Sequence, residues 1–68
     1  MEYLLLDEYI ELYKLIKVLD LVDSGAQAKL LVANGYVTRN GELETRKRAK
    51  IKRGEIVVIG DEVVIKVV

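Results

Sequence analysis

The chain has 68 residues, and its 11 Lys and Arg balance 11 Asp and Glu to a formal net charge of zero. It contains neither Cys nor His, which excludes a disulfide framework and the commonest zinc ligands. A hydrophobic fraction of 51% argues against disorder, so packing alone must stabilise the fold. We therefore expect one small domain over residues 1–68.

No stretch of the chain suggests a membrane or a secretory route. Apolar runs such as Leu4 to Leu6 are far shorter than the roughly 20 residues that cross a bilayer. A secretory signal begins with positive charge, whereas Glu2, Asp7 and Glu8 all precede the first base, Lys14. The expected location is the cytoplasm.

Residues 2–11 show no clean helical spacing and are predicted to be extended. From residue 12 the apolar positions follow the i, i+3, i+4, i+7 spacing of one helical face: Leu12, Leu15, Ile16 and Leu19. Lys14 and Lys17 lie off that face. This spacing predicts a first helix with one buried side.

A second helix is predicted to begin at Ser24, because Ser24 and Gln27 have the spacing of a capping box. Gly35 is expected to end it in the left-handed conformation. Apolar residues lie on most sides of this helix, so we expect it to be mostly buried, with exposure confined to its N-terminal end.

Strand patterns follow the second helix. The segment 37–39 precedes Asn40-Gly41, a strong hairpin signal, and Gly60-Asp61 joins two β-rich runs at 55–59 and 62–68. The predicted fold class is α+β, with two packed helices followed by a small, mainly antiparallel sheet.

The charges are sorted along the chain. Residues 1–23 carry six acids and two bases (−4), residues 24–54 carry eight bases and two acids (+6), and residues 55–68 carry three acids and one base (−2). The densest run, residues 46–53, is called the basic segment below. It could be a solvated loop, but it contains no acid, and Lys29 and Arg39 lie in elements that could converge on it. We therefore favour polyanion binding.

Catalysis has little support, because no hydroxyl has an obvious base partner. Glu42 and Glu44 share a face of an extended segment, where carboxylates are usually solvating charges. The start of the second helix, Ser24 to Ala26, has two compatible readings. It can be a structural cap, or its exposed N–H groups can bind a phosphate.

Three strings, in this order and at these separations, resemble the RNA-binding domain named after ribosomal protein S-four, also called the αL motif. They are SGAQAK (Ser24 to Lys29), NGELETRKRAKI (Asn40 to Ile51) and RGE (Arg53 to Glu55). The match is to the small stand-alone bacterial members and covers about Glu8 to Val68.

The resemblance implies a domain that holds structured RNA on its two helices and the following basic turn, without chemistry or a cofactor. Stand-alone members are associated with ribosomal RNA and ribosome maturation, which is the partner implied here. The chain is expected to be a monomer with no small-molecule substrate. Carried over by position, the RNA-binding candidates are Lys17, Ser24, Gln27, Lys29, Arg46, Lys47, Arg48 and Lys50.

Two positions depart from the family pattern. Arg39 replaces an apolar strand residue, which either exposes the strand end or adds a phosphate contact, so Arg39 joins the RNA-binding candidates. Glu55 replaces an Asp, and this is expected to alter only turn hydrogen bonding. Base stacking is expected to be minor, because only one of the four tyrosines, Tyr36, lies outside the acidic N-terminal part.

The alternative function is a protein-interaction module. Its basic side would bind an acidic protein, and the strand at 62–68 could pair edge to edge with a partner.

Overall fold

A computed structural model describes all 68 residues. The helices are α1 (Leu12–Val18) and α2 (Gly25–Ala33). The seven strands are β1 (Glu2–Tyr3), β2 (Ile10–Glu11), β3 (Val37–Arg39), β4 (Glu42–Leu43), β5 (Lys50–Ile51), β6 (Ile56–Ile59) and β7 (Val63–Val67). This arrangement confirms the predicted α+β class. Neither helix combines the length and apolar character that crossing a membrane requires.

Five strands form one sheet in the order β1-β7-β6-β3-β4. All neighbours are antiparallel except β1 and β7, which are parallel. The other two strands, β2 and β5, form a separate antiparallel ribbon. Because β7 lies between β1 and β6, it has no free edge. The expectation that residues 62–68 could pair with a partner strand is therefore wrong.

The core lies between the helices and one face of the five-stranded sheet. Alternate residues of the strands face inward, as strand geometry requires. Twelve buried apolar residues form this single cluster: Leu5, Leu12, Leu15, Ile16, Ala28, Val32, Val37, Ala49, Ile51, Val57, Ile65 and Val67. The other face of the sheet has no covering layer, and Val64 and Lys66 are exposed there.

Both predicted hairpins are present. Asn40 (φ 52°) and Gly41 (φ 84°) occupy the two positive-φ positions that a tight turn between β3 and β4 requires. The β6–β7 hairpin aligns Ile59 with Val63 across residues 60–62. The turn residues read from the sequence therefore set the register of the sheet.

The second helix is less buried than its composition suggested. Only Ala28 and Val32 are buried in α2, whereas Leu30 is 60% exposed. A chain of this size forms one core layer, so a helix packed against α1 on one side leaves its remaining apolar residues in water. The expectation of a mostly buried α2 is wrong.

This difference gives a matched pair of leucine substitutions. Leu15→Ala, at a fully buried position in α1, should lower the free energy of unfolding by about 2–5 kcal/mol. Leu30→Ala in α2 should change it by less than about 1 kcal/mol, because little apolar surface is removed from contact. Urea unfolding followed by circular dichroism measures both. Equal losses would contradict the described exposure of α2.

Candidate nucleic-acid interface

The basic segment is attached to the start of α1 through its backbone. The first N–H groups of a helix lack partners within the helix, and Glu11, at the N-cap, makes no side-chain capping bond. Instead, Leu12 N–H donates to the Ala49 carbonyl at 2.9 Å. Tyr13 N–H donates to the Lys47 carbonyl at 3.0 Å. The basic segment therefore supplies the cap of the first helix.

Pairing of β2 with β5 extends this attachment. Ile10 lies opposite Ile51, and Glu11 lies opposite Lys50. Ala49 and Ile51 are buried, while Lys50 between them is exposed. Two small or apolar residues thus anchor the segment in the core, and the basic side chains that alternate with them project to solvent.

Tyr13 brings cations from three stretches of the chain together. Lys29 Nζ of α2 lies 4.8 Å from the centre of the Tyr13 ring. The Arg48 guanidinium of the basic segment lies 5.5 Å from it, and Lys14 Nζ of α1 lies 5.9 Å from it. These are cation–π distances. The predicted convergence of Lys29 with the basic segment is therefore present in the structure.

Tyr9 makes a similar contact, with Lys50 Nζ 5.0 Å from its ring centre. The expectation that stacking of RNA bases is minor assumed that both tyrosines lie apart from the basic residues, in an acidic segment. The assumption is wrong, since the β2–β5 ribbon folds the acidic segment against the basic one, while minor base stacking itself stays a prediction. The presence of tyrosines at positions 9 and 13, four residues apart, was the sequence signal that could have indicated these contacts with the basic residues.

The start of α2 has the predicted cap. Ser24 Oγ accepts a hydrogen bond from Gln27 N–H at 3.2 Å, and Gln27 Oε1 accepts one from Asp23 N–H at 2.7 Å. The Gly25 and Ala26 N–H groups precede the first helical bond, from Ala28 to Ser24. Both side chains of the capping box thus have a structural role.

Gly25 and Lys29, four residues apart, lie on one face of α2. Apart from its chain neighbours and the backbone of its own helix, no atom lies within 4 Å of where a Gly25 side chain would begin, so this part of the helix start is open. The open tip of α2 is therefore continuous with the cations around Tyr13.

The Arg39 side chain is mostly buried and hydrogen-bonded to other residues of the protein. Its Nε–H donates to Glu55 Oε2 at 2.5 Å, and its Nη2 group donates to Glu55 Oε1 at 3.0 Å and to the Lys50 carbonyl at 2.8 Å. Its Nη1 group lies 3.5 Å from Glu44 Oε1. Since the side chain is only 23% exposed, few of its N–H groups remain for an outside ligand.

The position of Arg39 explains these bonds. Arg39 is aligned with Val57 on the core-facing side of β3, where a charge needs partners. Glu55 provides them, and it also accepts hydrogen bonds from Lys52 N–H at 2.6 Å and Asn40 Nδ2 at 3.2 Å. The expectation that Glu55 alters only a turn is therefore incomplete. The two departures from the family pattern are partners in one ion pair.

Glu44 is a buried carboxylate rather than a solvating one, with 7% of its surface exposed. It accepts hydrogen bonds from Arg46 Nε at 2.9 Å, Arg46 Nη2 at 3.0 Å and Arg46 N–H at 3.2 Å. These bonds, with the Arg46 side chain the main cause, lower the pKa of Glu44 from 4.5 to about 2. The interpretation of Glu44 as a solvating charge is wrong, because Glu44 is buried and paired with Arg39 and Arg46.

The cations of this region line a surface concavity of about 420 Å³. Arg48 belongs both to this concavity and to the cluster around Tyr13, so the two form one surface. The residues that line it are Arg39, Arg46, Arg48, Ala49, Lys50 and Lys52.

Two candidates lie outside the concavity, the cluster around Tyr13 and the start of α2. Lys47 is exposed on the basic segment, and Lys17 lies one turn beyond Tyr13 on α1. Neither makes an ion pair. Lys52 was missed by the sequence analysis, although it belongs to the same basic segment.

The helix pair, the basic segment attached to it and the sheet order define a known class of domain. Residues 3–68 match the family model of the S4 domain, and the chain belongs to this family. The resemblance stated from the three sequence strings is thereby confirmed.

Two curated relatives share 47% identity with the chain over 49 residues, which is 72% of this chain and 70% of each relative. One is "Putative RNA-binding protein YbcJ" of Escherichia coli (strain K12), and the other is "Uncharacterized protein YbcJ" of Shigella flexneri. Among solved structures, 30S ribosomal protein S4e of Thermoplasma acidophilum superposes with a TM-score of 0.65 at 26% identity. The match covers 78% of this chain but 28% of that protein.

The low pKa of Glu44 predicts an acid-dependent loss of stability. A carboxyl whose pKa is depressed in the folded state stabilises the fold above its unfolded pKa, near 4.5, and loses that contribution as the pH falls through about 2. Because Arg46 is largely exposed and screened, we expect a loss of about 1–2 kcal/mol from this group. Urea unfolding at pH 5 and at pH 2.5 measures the loss.

The control is the exposed carboxylate two residues earlier. Glu44→Gln should reduce the difference in stability between the two pH values, whereas Glu42→Gln should leave it unchanged. An identical acid response in the two variants would show that Glu44 is not the group concerned.

Proposed function

We propose that this protein binds structured RNA without catalysing a reaction on it. The observation that carries the proposal is the gathering of Lys29, Arg48 and Lys14 around the ring of Tyr13. These cations come from three elements, and the open tip of α2 adjoins them. A surface with this charge distribution attracts a polyanion. Membership of the S4 domain family and the name of the Escherichia coli relative support the same partner.

Internal ion pairs leave the cations of this surface exposed to a ligand. Lys14, Arg39, Arg46 and Arg48 each have a carboxylate partner. The side chains of Lys14, Arg46 and Arg48 nevertheless remain 57%, 74% and 61% exposed. Exposed ion pairs contribute little energy and are exchanged readily for a phosphate. Lys29, Lys47, Lys50 and Lys52 of this region have no acidic partner.

The basic side chains and the tip of α2 would act differently. The lysines and arginines neutralise backbone phosphates, which supplies affinity with little dependence on sequence. The N–H groups of Gly25 and Ala26 at the tip of α2 point toward an anion and restrict its orientation. Because both parts contact the backbone, recognition depends on the shape of the RNA.

Within RNA, we propose ribosomal RNA as the target and ribosome assembly or maturation in the cytoplasm as the setting. The support is the resemblance to small stand-alone members of the family and the superposition on a protein of the 30S subunit. The protein would act as a monomer.

Salt dependence and a pair of lysine variants test RNA binding. If four to six phosphates are contacted, the logarithm of the affinity should fall with the logarithm of salt concentration with a slope of about −3 to −5. Lys47→Gln should reduce that slope by about 1. Lys66→Gln, on the outer face of the sheet, should leave it unchanged. Fluorescence anisotropy with a labelled ribosomal RNA hairpin measures all three.

These variants avoid the buried network. Arg46→Glu would place a second carboxylate against Glu44 and disturb the fold itself. Equal slopes for the two lysine variants, or tighter binding to an acidic protein than to RNA, would contradict the proposal.

A further inference from the structure

We propose that the concavity lined by Arg46, Arg48, Lys50 and Lys52 is a discrete phosphate-binding subsite, with Lys50 and Lys52 as its principal ligands. The inference rests on the proposed RNA-binding function and makes it more specific. It replaces a general basic surface with one defined position for one phosphate group.

The lining of the concavity contains five basic residues and Ala49, and no acid. None of the carboxylates that pair with these bases lines it. Glu44 and Glu55 line a neighbouring concavity that shares Arg39 and Arg46 with this one, and Glu11, the partner of Arg48, lines a third. The charged residues that line the first concavity are therefore all cationic.

Two of the five bases are free to neutralise a ligand. Arg39, Arg46 and Arg48 have carboxylate partners, whereas Lys50 and Lys52 have none. The two uncompensated charges suit a phosphate group, which carries one or two negative charges. The partly engaged forks of Arg46 and Arg48 are exposed and can add hydrogen bonds.

The backbones of both lysines are fixed by the same ion pair. Arg39 Nη2 donates to the Lys50 carbonyl at 2.8 Å. Glu55 Oε1 accepts a hydrogen bond from Lys52 N–H at 2.6 Å. Glu55 and Arg39 are themselves joined by two hydrogen bonds. The Arg39–Glu55 pair is therefore a positioning device that holds the two cationic residues on either side of buried Ile51.

This arrangement gives Arg39 a role that differs from direct contact with RNA. Its N–H groups are used on Glu55, Lys50 and Glu44, so it shapes the floor of the concavity. The ligand would be either an internal phosphodiester of RNA or a terminal phosphate, since both present the same oxygens to the lysines. A volume of about 420 Å³ leaves room for the attached ribose.

Inorganic phosphate is the first probe. The ¹⁵N-labelled full chain is titrated with phosphate, and with chloride at matched ionic strength, while amide chemical shifts are recorded. Saturable shifts specific to phosphate should be confined to residues 46–52 and their neighbours. Lys52→Gln should weaken phosphate binding roughly tenfold, because it removes a charged hydrogen bond. It retains the backbone N–H that Glu55 binds, so the scaffold persists.

Lys66→Gln is the matched control and should bind phosphate as the unaltered protein does. RNA hairpins identical except for a 5′-phosphate or a 5′-hydroxyl then identify the source of the phosphate. A preference for the phosphorylated hairpin that Lys52→Gln removes assigns a terminal phosphate. Equal binding of the two hairpins, weakened equally by Lys52→Gln, assigns an internal one.

The subsite is overturned if phosphate and chloride give the same shifts, if phosphate shifts are spread over every basic residue, or if Lys52→Gln behaves like Lys66→Gln. RNA binding by the unaltered protein in that case leaves the proposed function intact. Absence of RNA binding together with localised phosphate shifts would instead contradict the proposed function alone.

Discussion

The backbone cap of α1 couples the fold to the candidate interface. A helix start without a side-chain cap needs acceptors for its N–H groups, and the carbonyls of Lys47 and Ala49 supply them. The basic segment cannot move away without exposing those donors. Burial of Ala49 and Ile51 adds an apolar component to the same attachment. The cations between these anchors are consequently held beside the helices, as a rigid surface rather than a loose loop.

The electrostatics of the region follow from this fixed geometry. Several bases held close together repel one another, and a small domain has little stability to spare. Glu44 and Glu55 offset that repulsion from the side away from the concavity. Glu11 does the same between Lys14 and Arg48, and those two bases are the cause of its lowered pKa. The carboxylates thus stabilise the cationic surface while leaving the lining of the concavity without acids.

Local signals in the sequence predicted much of the fold. Ser24 with Gln27, the Asn40-Gly41 turn and the alternation in residues 55–68 each depend on residues close together in the chain, and each is present. The contacts that the sequence did not predict join residues far apart in the chain. Arg39 and Glu55 lie 16 residues apart, and Tyr13 meets Arg48 across 35 positions, so pattern alone could not pair them. The burial of α2 was overestimated because composition does not reveal how many layers cover a helix.

Nuclear magnetic resonance of the labelled protein with a structured ribosomal RNA fragment tests the central claim most directly. The claim is that separate stretches of the chain form one RNA surface on a fixed backbone. The amides of Lys29 and Arg48 and the ring protons of Tyr13 should shift together along one binding curve. Val64 and Lys66, on the outer face of the sheet, should not shift. Shifts concentrated on that outer face, or separate binding curves for Lys29 and Arg48, would contradict a single surface.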